Sequence, residues 1–173
     1  SLHPKTTEAK SMDDTAQFIE DRTEDGVFRI DRRLYTDPAV FSAEMERVFG
    51  KTWVYLCHES QVIKHGDYYA TNIGQQPVFV IRQEDDGIGA FINACAHRGA
   101  ILTPRRRGTM QTIACRFHGW CYDTKGDLIG VPQMRGIRGM GGYPKDFRKE
   151  DHGLVKLRVS QFSGVVFGTC LIY

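Results

Sequence analysis

The chain has 173 residues, 41% hydrophobic and 25% charged, which is long enough to bury one full core, so we expect one domain. Its 23 Lys and Arg nearly balance 21 Asp and Glu, and a formal net charge of +2 gives no general reason to expect binding to nucleic acid. No apolar run approaches the roughly twenty residues of a membrane span, and five cysteines are not a disulfide framework in a chain of this size, so we expect no membrane association and a reducing cytoplasm.

The chain opens with a polar segment. Residues 1 to about 15 mix both charges and offer little to bury, and the first ten residues lack the apolar core of a secretory signal. We predict a mobile N-terminal tail over residues 1–25, followed by a short strand over residues 26–30. The folded domain should therefore extend over residues 26–173.

A short helix is predicted after residue 36. Asp37 suits the N-cap, Pro38 suits the first helical position, and Gly50 ends the pattern. Four apolar residues at the spacing i, i+4, i+7 and i+8 would form a single stripe on this helix: Phe41, Met45, Val48 and Phe49. The simplest interpretation is a structural brace that packs this stripe against a sheet.

From residue 52 onward the pattern becomes that of strands. β-branched and aromatic residues concentrate in runs separated by Gly and by Asp85-Asp86-Gly87, a good hairpin turn. The predicted strands are residues 52–57, 67–73, 77–82, 88–94, 111–114, 154–159 and 165–170. A long irregular loop, rich in glycine, is predicted over residues 130–153. The fold class is therefore mainly β, a small antiparallel domain with one short helix in front.

Two short stretches carry the chemistry. The first reads Cys95-Ala-His97-Arg-Gly99, the second reads Cys115-Arg-Phe-His118-Gly119-Trp120, and seventeen residues separate His97 from Cys115. A Rieske [2Fe-2S] cluster holds one iron by two Cys and the other by two His. If loops at about 95–100 and 115–122 each supply one Cys and one His, the cluster can lie between their tips. We expect the glycines because a Cβ would obstruct the approach of backbone amides to the sulfides.

These residues predict a cofactor site and a metal site, and no catalytic residue. The predicted ligands are Cys95, His97, Cys115 and His118. Zinc also accepts two Cys and two His, but zinc fingers usually pair Cys with Cys and His with His along the chain. The alternating order favours the cluster over zinc. Two unrelated Cys and two unrelated His would need four coincidences of spacing.

The two stretches resemble those of Rieske non-haem iron aromatic-ring-hydroxylating oxygenases, in the N-terminal part of the large (α) subunit. FSAEMERVFGKTWVYLCHES, residues 41–60, is similar to the segment that precedes the Rieske domain there. LVKLRVSQFSGVVFG, residues 154–168, is similar to the strands that close it. Residues 130–153 resemble most the group that acts on benzoate, anthranilate, terephthalate and salicylate. The resemblance covers roughly residues 27–170 and implies a Rieske-type antiparallel β-sandwich with two cluster-binding loops.

The resemblance also implies an electron-transfer role. In such oxygenases a reductase or ferredoxin reduces the [2Fe-2S] cluster, and the electron moves to a mononuclear Fe(II) that activates dioxygen. That transfer usually crosses to the neighbouring subunit of a trimer, so a trimeric assembly and a β subunit are among the expected partners. The ligands of the mononuclear iron, two His and one carboxylate, lie beyond the Rieske segment in the family. We therefore expect the catalytic mononuclear-iron domain to be absent from this chain, which would be part of an oxidoreductase without being catalytic alone.

A free-standing Rieske-type ferredoxin, an electron carrier and not an enzyme, is the alternative. The extra helix and the glycine-rich loop argue against it, because a minimal carrier requires neither. Rieske proteins of cytochrome bc-type complexes have a disulfide where this chain has Ala100 and Phe117, and a Ser donor where it has Trp120. Tyr122 matches their second donor, a Tyr near a ligand sulfur. One lost donor implies a potential in the lower part of the Rieske range.

Arg105, Arg106 and Arg107 lie between the two loops. Such a run could dock an acidic electron donor, because a local basic patch speeds encounter. It could also be a solvated loop that carries charge for solubility, which is the commoner role of charge runs and the one we favour. Trp120 is expected to pack over the cluster and limit water, although an ordinary core Trp would look the same in the sequence.

Overall fold

The computed structural model describes residues 15–138 and 140–170. The chain divides into two compact units, with the boundary between Val48 and Phe49. In the described part of the first unit, strands β1 (Ile19–Arg22) and β2 (Val27–Ile30) pair antiparallel, and helices α1 (Arg33–Thr36) and α2 (Pro38–Glu44) follow. No helix in the described part of the chain is long and apolar enough to cross a membrane.

Residues 15–25 form regular structure where the sequence predicted a mobile tail. β1 pairs with β2 along its whole length, with Ile19 opposite Ile30, and Gly26 turns between them at a φ of +66°. A lone strand leaves its backbone N–H and C=O groups without partners, so the predicted strand 26–30 takes its partner from the predicted tail. Phe18 anchors this segment, since it is buried and the Arg33 guanidinium lies 5.6 Å above its ring. Residues 1–14, the rest of that prediction, lie outside the described residues.

Helix α2 begins as predicted. The Asp37 side chain accepts a hydrogen bond from the Ala39 N–H at 2.8 Å, and Pro38 is the first helical residue. The regular helix ends at Glu44, and a π-helix (Met45–Phe49) continues the chain towards the predicted stop.

The predicted apolar stripe of this helix is wrong. Phe41 and Val48 are 46% and 48% exposed, whereas Val40 and Ala43 are buried. Phe41 lies in the regular α-helix, whose buried face instead carries Val40 and Ala43. A π turn holds more residues than an α turn, so Val48 no longer falls on the line of an α-helical stripe. The stripe was predicted on the assumption of an uninterrupted α-helix.

The described part of the second unit is built of three antiparallel sheets. A four-stranded sheet has the order β6-β5-β4-β7, and two three-stranded sheets have the orders β11-β12-β3 and β10-β9-β8. The strands are β3 (Val54–His58), β4 (Asp67–Ile73), β5 (Gln76–Arg82), β6 (Ile88–Ile92), β7 (Arg107–Thr109), β8 (Ile113–Ala114), β9 (Cys121–Tyr122), β10 (Leu128–Gly130), β11 (Arg158–Phe162) and β12 (Val165–Thr169). The mainly β, antiparallel prediction is confirmed.

Strand β5 is buried on both faces, which explains its nearly continuous apolar sequence. Val78 and Val80 belong to one hydrophobic cluster, together with Leu56 and Val166 of the β3–β12 sheet. Phe79 and Ile81 point the other way into a second cluster, which contains Cys95, Cys115, Trp120 and Tyr122. Successive side chains of a strand alternate between faces, so β5 separates the two halves of the core. The second half is the one that contains the predicted ligands.

Most long predicted strands are present, but the one predicted over residues 154–159 is displaced to Arg158–Phe162. Residues 154–157 instead bind a turn and a strand, with the Leu154 N–H donating to the Gly126 carbonyl of the turn before β10 at 2.8 Å and the Leu157 N–H donating to the Ala90 carbonyl of β6 at 2.9 Å. The described residues in the range 131–153 are irregular as predicted, apart from one isolated bridge between Ile137 and Met140 and a 3-10 turn (Lys149–His152).

Candidate metal-cluster site

The first loop, residues 95–100, leaves the end of β6 and is closed by two backbone hydrogen bonds. The Cys95 N–H donates to the Ala100 carbonyl at 2.8 Å, and the Gly99 N–H donates back to the Cys95 carbonyl at 2.8 Å. Gly99 has a φ of +72°, in the left-handed region that glycine adopts without strain. The loop therefore fixes Cys95 at its base and leaves His97 at its tip.

The second loop, residues 115–120, joins β8 to β9 and repeats the same bonding pattern. The Cys115 N–H donates to the Trp120 carbonyl at 2.8 Å, and the Gly119 N–H donates to the Cys115 carbonyl at 3.0 Å. Gly119 has a φ of +69°. The Cys stands first in both loops, but the imidazole stands third in the first loop and fourth in the second. Both loops are therefore closed by the same pair of backbone hydrogen bonds, which the unequal Cys–His spacing in the sequence does not reveal.

The structure brings all four predicted ligands to one pocket. The two thiol-bearing residues are each 3% exposed, and the imidazole rings of His97 and His118 lie 4.7 Å apart, nearly perpendicular at 85°. The pocket has a volume of about 310 Å³ and is lined by Cys95, His97, Arg98, Ala100, Cys115, Phe117 and His118. Two thiols and two imidazoles therefore share one cavity between the loop tips.

Burial affects the protonation of these groups in opposite ways. Burial raises the pKa of the Cys95 thiol, and a hydrogen bond from Tyr122 partly offsets this. Burial lowers the pKa of the His97 imidazole, and the neighbouring His118 and Arg98 lower it further. Metal ligation needs a neutral imidazole and a deprotonated thiol. His97 is therefore prepared for ligation, whereas Cys95 needs the positive charge of a bound metal to lose its proton.

One buried atom at this site has no partner. Among the described residues, His97 Nδ1 is the buried side-chain nitrogen or oxygen that makes no hydrogen bond. Such an atom is rare, because leaving it unsatisfied costs about 1–3 kcal/mol. A neutral imidazole with its proton on Nε2 offers the Nδ1 lone pair to a metal. The orphaned atom therefore fits a metal ligand.

The four predicted ligands divide into two chemical pairs, two thiols and two imidazoles. A structural zinc site gathers four ligands around a single ion, whereas each iron of a Rieske cluster takes two protein ligands of one kind. The described residues contain no group of three or more His, Cys, Asp or Glu side chains placed to hold one metal ion.

Tyr122 contacts the first loop from beneath. Its side chain is fully buried, and its hydroxyl lies 3.1 Å from Cys95 Sγ and accepts a hydrogen bond from the Ala96 N–H at 3.1 Å. Burial, followed by the contact with Cys95, raises the pKa of this hydroxyl far above its ordinary value. The hydroxyl therefore stays protonated and can donate to the Cys95 sulfur, the role that the resemblance implies.

Trp120 covers the imidazole of the first loop. The two rings are stacked, with centroids 4.7 Å apart and an interplanar angle of 15° to His97, and the indole is 2% exposed. Its Nε1–H donates to the Tyr143 hydroxyl at 3.2 Å, and the rings of Phe147 and His152 meet its edge at 5.9 and 5.7 Å. The glycine-rich loop thus supplies three aromatic rings that hold Trp120 against His97. The expected shielding position of Trp120 agrees with this geometry.

The two loop glycines also have a role in the loop backbone itself. A Cβ at Gly99 would meet no described atom within 4 Å, and a Cβ at Gly119 would lie 2.8 Å from Pro132 Cγ. Both residues have positive φ values and close their loops through backbone N–H groups. Loop closure and, at Gly119, the approach of Pro132 account for them.

Asn93 is a positioning residue that sequence reasoning missed. It is 4% exposed, and its Oδ1 accepts the N–H groups of Leu102 and Thr103, each at 3.0 Å. Its Nδ2 donates to the Thr103 hydroxyl at 2.7 Å and to the Thr103 carbonyl at 3.3 Å. Asn93 therefore ties the entry of the first loop to its exit. The sequence signal for this role was an Asn placed between an apolar strand and a predicted ligand Cys.

The arginine run between the loops is partly packed. Arg106 donates to the Tyr69 hydroxyl at 2.5 Å, and the guanidinium groups of Arg106 and Arg107 each lie 5.2 Å from the Tyr69 ring centre. All three arginines are exposed, as expected of a solvated loop, and two of them also pack on Tyr69.

Cys121, near the second loop, is not required as a ligand, since its thiol donates to the Gly119 carbonyl at 3.2 Å.

Comparison with known proteins gives consistent matches. The family described as the Rieske [2Fe-2S] domain matches residues 52–144. Toluate 1,2-dioxygenase subunit alpha of Pseudomonas putida is 39% identical over 160 residues, which is 91% of this chain and 34% of that protein. The anthranilate 1,2-dioxygenase large subunit of Burkholderia cepacia is 42% identical over 142 residues, 82% of this chain and 34% of that protein.

Solved structures agree with these sequence matches. Naphthalene 1,2-dioxygenase from Rhodococcus sp. bound to indole superposes with a TM-score of 0.74 at 32% identity, covering 82% of this chain and 31% of that one. A quaternary ammonium Rieske monooxygenase that oxidises carnitine superposes with a TM-score of 0.71 at 28% identity, covering 80% of this chain and 36% of that one. The chain spans about a third of the length of the relatives it matches.

Proposed function

The chain belongs to the Rieske [2Fe-2S] domain family, and from this membership we propose that Cys95, His97, Cys115 and His118 hold its cluster. The two thiolates would serve one iron and the two imidazoles the other. The unpartnered Nδ1 of His97 is the observation that carries this assignment, because a buried nitrogen without a hydrogen bond is otherwise costly. The common pocket of the four side chains supports it.

When bound, such a cluster takes up and releases single electrons. The surrounding residues orient the ligands and exclude water. Tyr122 holds Cys95, and Trp120 covers one face of the His97 ring. His118, in contrast, is exposed and lies beside Phe117, which is 75% exposed. Electrons would therefore enter and leave at the side of His118.

For the full-length protein we propose the electron-transfer portion of an aromatic-ring-hydroxylating dioxygenase. A reductase or ferredoxin would reduce the cluster, and a mononuclear iron site would accept the electron. That site would lie in a part of the α subunit that this chain does not span, because the relatives are about three times longer. A trimeric assembly, a β subunit and a cytoplasmic location complete the proposal. Relatives acting on toluate, terephthalate and anthranilate favour an aromatic carboxylic acid as substrate.

The test is to purify the chain anaerobically and to measure iron, acid-labile sulfide and the EPR spectrum after reduction. We expect two irons and two sulfides per chain and a rhombic signal with a low average g value. His97→Ala and Cys115→Ala should abolish this signal. Cys121→Ser is the matched control and should retain it, because Cys121 lies beside the second loop without facing the pocket. Zinc in place of iron, or a cluster that survives both ligand changes, would refute the assignment.

A further inference from the structure

Noncovalent contacts hold the two ligand loops together, because all five cysteines of the chain are free. At the base of the first loop, the Tyr122 hydroxyl lies 3.1 Å from Cys95 Sγ. At its tip, the Trp120 indole stacks on the His97 imidazole. The backbone carbonyl of Trp120 also closes the second loop, since it accepts the Cys115 N–H at 2.8 Å. Trp120 therefore takes part in the structure of both loops.

Tyr143 determines how the Trp120 ring is oriented. The Trp120 side chain is buried, and its Nε1–H donates to the Tyr143 hydroxyl at 3.2 Å. The indole nitrogen is a donor only and lies on one edge of the ring, so this bond selects one orientation of the flat ring over His97. A buried donor that loses its acceptor is costly, which would favour rotation of the indole towards water. The Tyr143 hydroxyl therefore stabilises the stacked position.

The glycine-rich loop fixes Tyr143 through a close approach of its own backbone. The Tyr143 N–H donates to the Met134 carbonyl at 3.0 Å, and the ring centroid of Phe147 lies 4.6 Å from that of Tyr143. Gly142, which precedes Tyr143, has a φ of +98°. A Cβ at Gly142 would lie 2.6 Å from the backbone nitrogen of Gly136 and 3.0 Å from the Met134 carbonyl oxygen. Glycine therefore permits the backbone contact that places Tyr143 beside Trp120.

We propose that Tyr143 is a positioning residue for the cluster, which acts through Trp120 to hold the His97 imidazole and to keep water from one of its faces. The inference rests on the proposed function, because His97 is one of the proposed ligands. An imidazole that is held in place should release iron more slowly. A reduced cluster carries one more negative charge than an oxidised one, and water stabilises charge better than an apolar ring does. The covered site should therefore have a lower midpoint potential than an uncovered one.

Tyr143→Phe tests the inference, because it removes the acceptor of the Trp120 N–H and keeps the aromatic ring. In the cluster-loaded chain, loss of the visible absorbance to an iron chelator should become about fivefold faster, the effect of one hydrogen bond. The midpoint potential, measured by protein-film voltammetry, should rise. Tyr55→Phe is the matched control at an exposed position of β3, and it should change neither quantity.

A double change separates an effect through Trp120 from a general weakening of the glycine-rich loop. Trp120→Phe keeps an aromatic ring beside His97 but has no N–H to donate. In that background, Tyr143→Phe should alter the rate of cluster loss less than about twofold, because the two residues act through one bond. An unchanged rate and potential in the single Tyr143→Phe variant, or an undiminished effect in the Trp120→Phe background, would overturn the proposal. Absence of a cluster from the unchanged chain would instead refute the proposed function.

Discussion

At the scale of single residues, Asn93 determines how firmly the first loop is held. Its side chain satisfies two backbone N–H groups of buried residues and donates two further hydrogen bonds. Asn93→Ala should lower the free energy of unfolding by about 3 kcal/mol, because the N–H groups of Leu102 and Thr103 lose their acceptor. Urea denaturation followed by circular dichroism measures this. Asn72→Ala, at an exposed position of β4, should change stability by about 0.5 kcal/mol or less; an equal effect of both changes would contradict the role of Asn93.

Tyr122 should affect the reduction potential. Tyr122→Phe removes the hydroxyl that contacts Cys95 Sγ and leaves the ring in place. A donor to the sulfur stabilises the more negative, reduced form, so the midpoint potential should fall. One hydrogen bond is worth about 1 kcal/mol, or roughly 40 mV for a one-electron couple. Protein-film voltammetry measures the shift, and Tyr35→Phe in the first unit serves as the control. A potential that stays constant or rises would show that the hydroxyl does not donate.

The sequence predicted the residues whose chemical type is distinctive. Thiols and imidazoles at the spacing of the two loops indicate a cluster by themselves, and the donor role of Tyr122 is implied by the resemblance to Rieske proteins of cytochrome bc-type complexes. Asn93 could not be predicted in the same way, because a single amide before a Cys has many ordinary explanations. Its importance depends on Leu102 and Thr103 lying opposite, which only the folded loop shows.

At the scale of elements, the turn before β10 limits how closely two parts of the core approach. Gly126 has a φ of +83°, and a Cβ there would overlap the ring of buried Phe91. Gly126→Ala should therefore lower the free energy of unfolding by about 1–3 kcal/mol more than the cost of the backbone conformation alone. Gly141→Ala is the matched control, since it has a φ of +72° and its Cβ would meet no described atom within 4 Å. Equal losses of stability, measured by urea denaturation, would exclude a packing effect at Gly126.

The link between β4 and β7 should depend on pH. The Lys64 N–H and the Thr109 hydroxyl, at 2.9 and 2.7 Å, lower the pKa of Asp67 below its ordinary value of 3.8. A carboxylate with a lowered pKa stabilises the fold above its unfolded pKa, and this contribution is lost as pH falls through the folded value. At pH 7 the Asp67→Asn variant should therefore melt roughly 1–4 °C below the unchanged chain. This shift corresponds to the loss of about 0.5–1 kcal/mol of stability.

The same pair of proteins should converge in melting temperature only when the pH falls below the lowered pKa of folded Asp67, where the carboxyl is protonated in both states. Thermal melts from pH 7 down into the acid range test this. Glu84→Gln makes an equivalent change at an exposed position. The difference in melting temperature between this variant and the unchanged chain should stay constant across the pH range. A difference between Asp67→Asn and the unchanged chain that grows on acidification would have the wrong sign for this mechanism.

Long elements were predicted well and short ones were not. Strands β4, β5 and β6 each contain at least four apolar or β-branched residues, and Asp37 with Pro38 marks a helix start by local chemistry. Strands β8 and β9 have two residues each, and their hydrogen-bond partners define them more than their side chains do. β1 was missed because its outward charges resemble those of a tail, and all four of its residues are exposed.

At the scale of the whole molecule, the proposed ligands come from two different sheets. The first loop follows β6 of the four-stranded sheet, and the second joins β8 to β9 of a three-stranded sheet. A cluster bound by both loops would hold these sheets together, and whatever binds only the folded state stabilises it. If the bound cluster stabilises the folded state by about 4 kcal/mol, removal of iron and sulfide should lower the melting temperature by roughly 8–16 °C.

Thermal melts before and after chelation of the iron test this link. Cys115→Ser is the control, because it removes a proposed ligand, and its melting temperature should not respond to chelation. A chelated chain that melts at the same temperature as the loaded chain would mean that the cluster is not a structural link between the sheets.

The unequal covering of the two imidazoles has a consequence for side reactions with air. His97 lies under the Trp120 ring, whereas the edge of His118 is exposed to solvent. Dissolved oxygen would approach a reduced centre most easily from the open side, so loss of electrons as superoxide would be favoured there. A partner bound over His118 would block access of dissolved oxygen and of other electron-transfer proteins at the same surface. The efficiency with which reducing equivalents are used would then depend on how long that side stays uncovered between encounters.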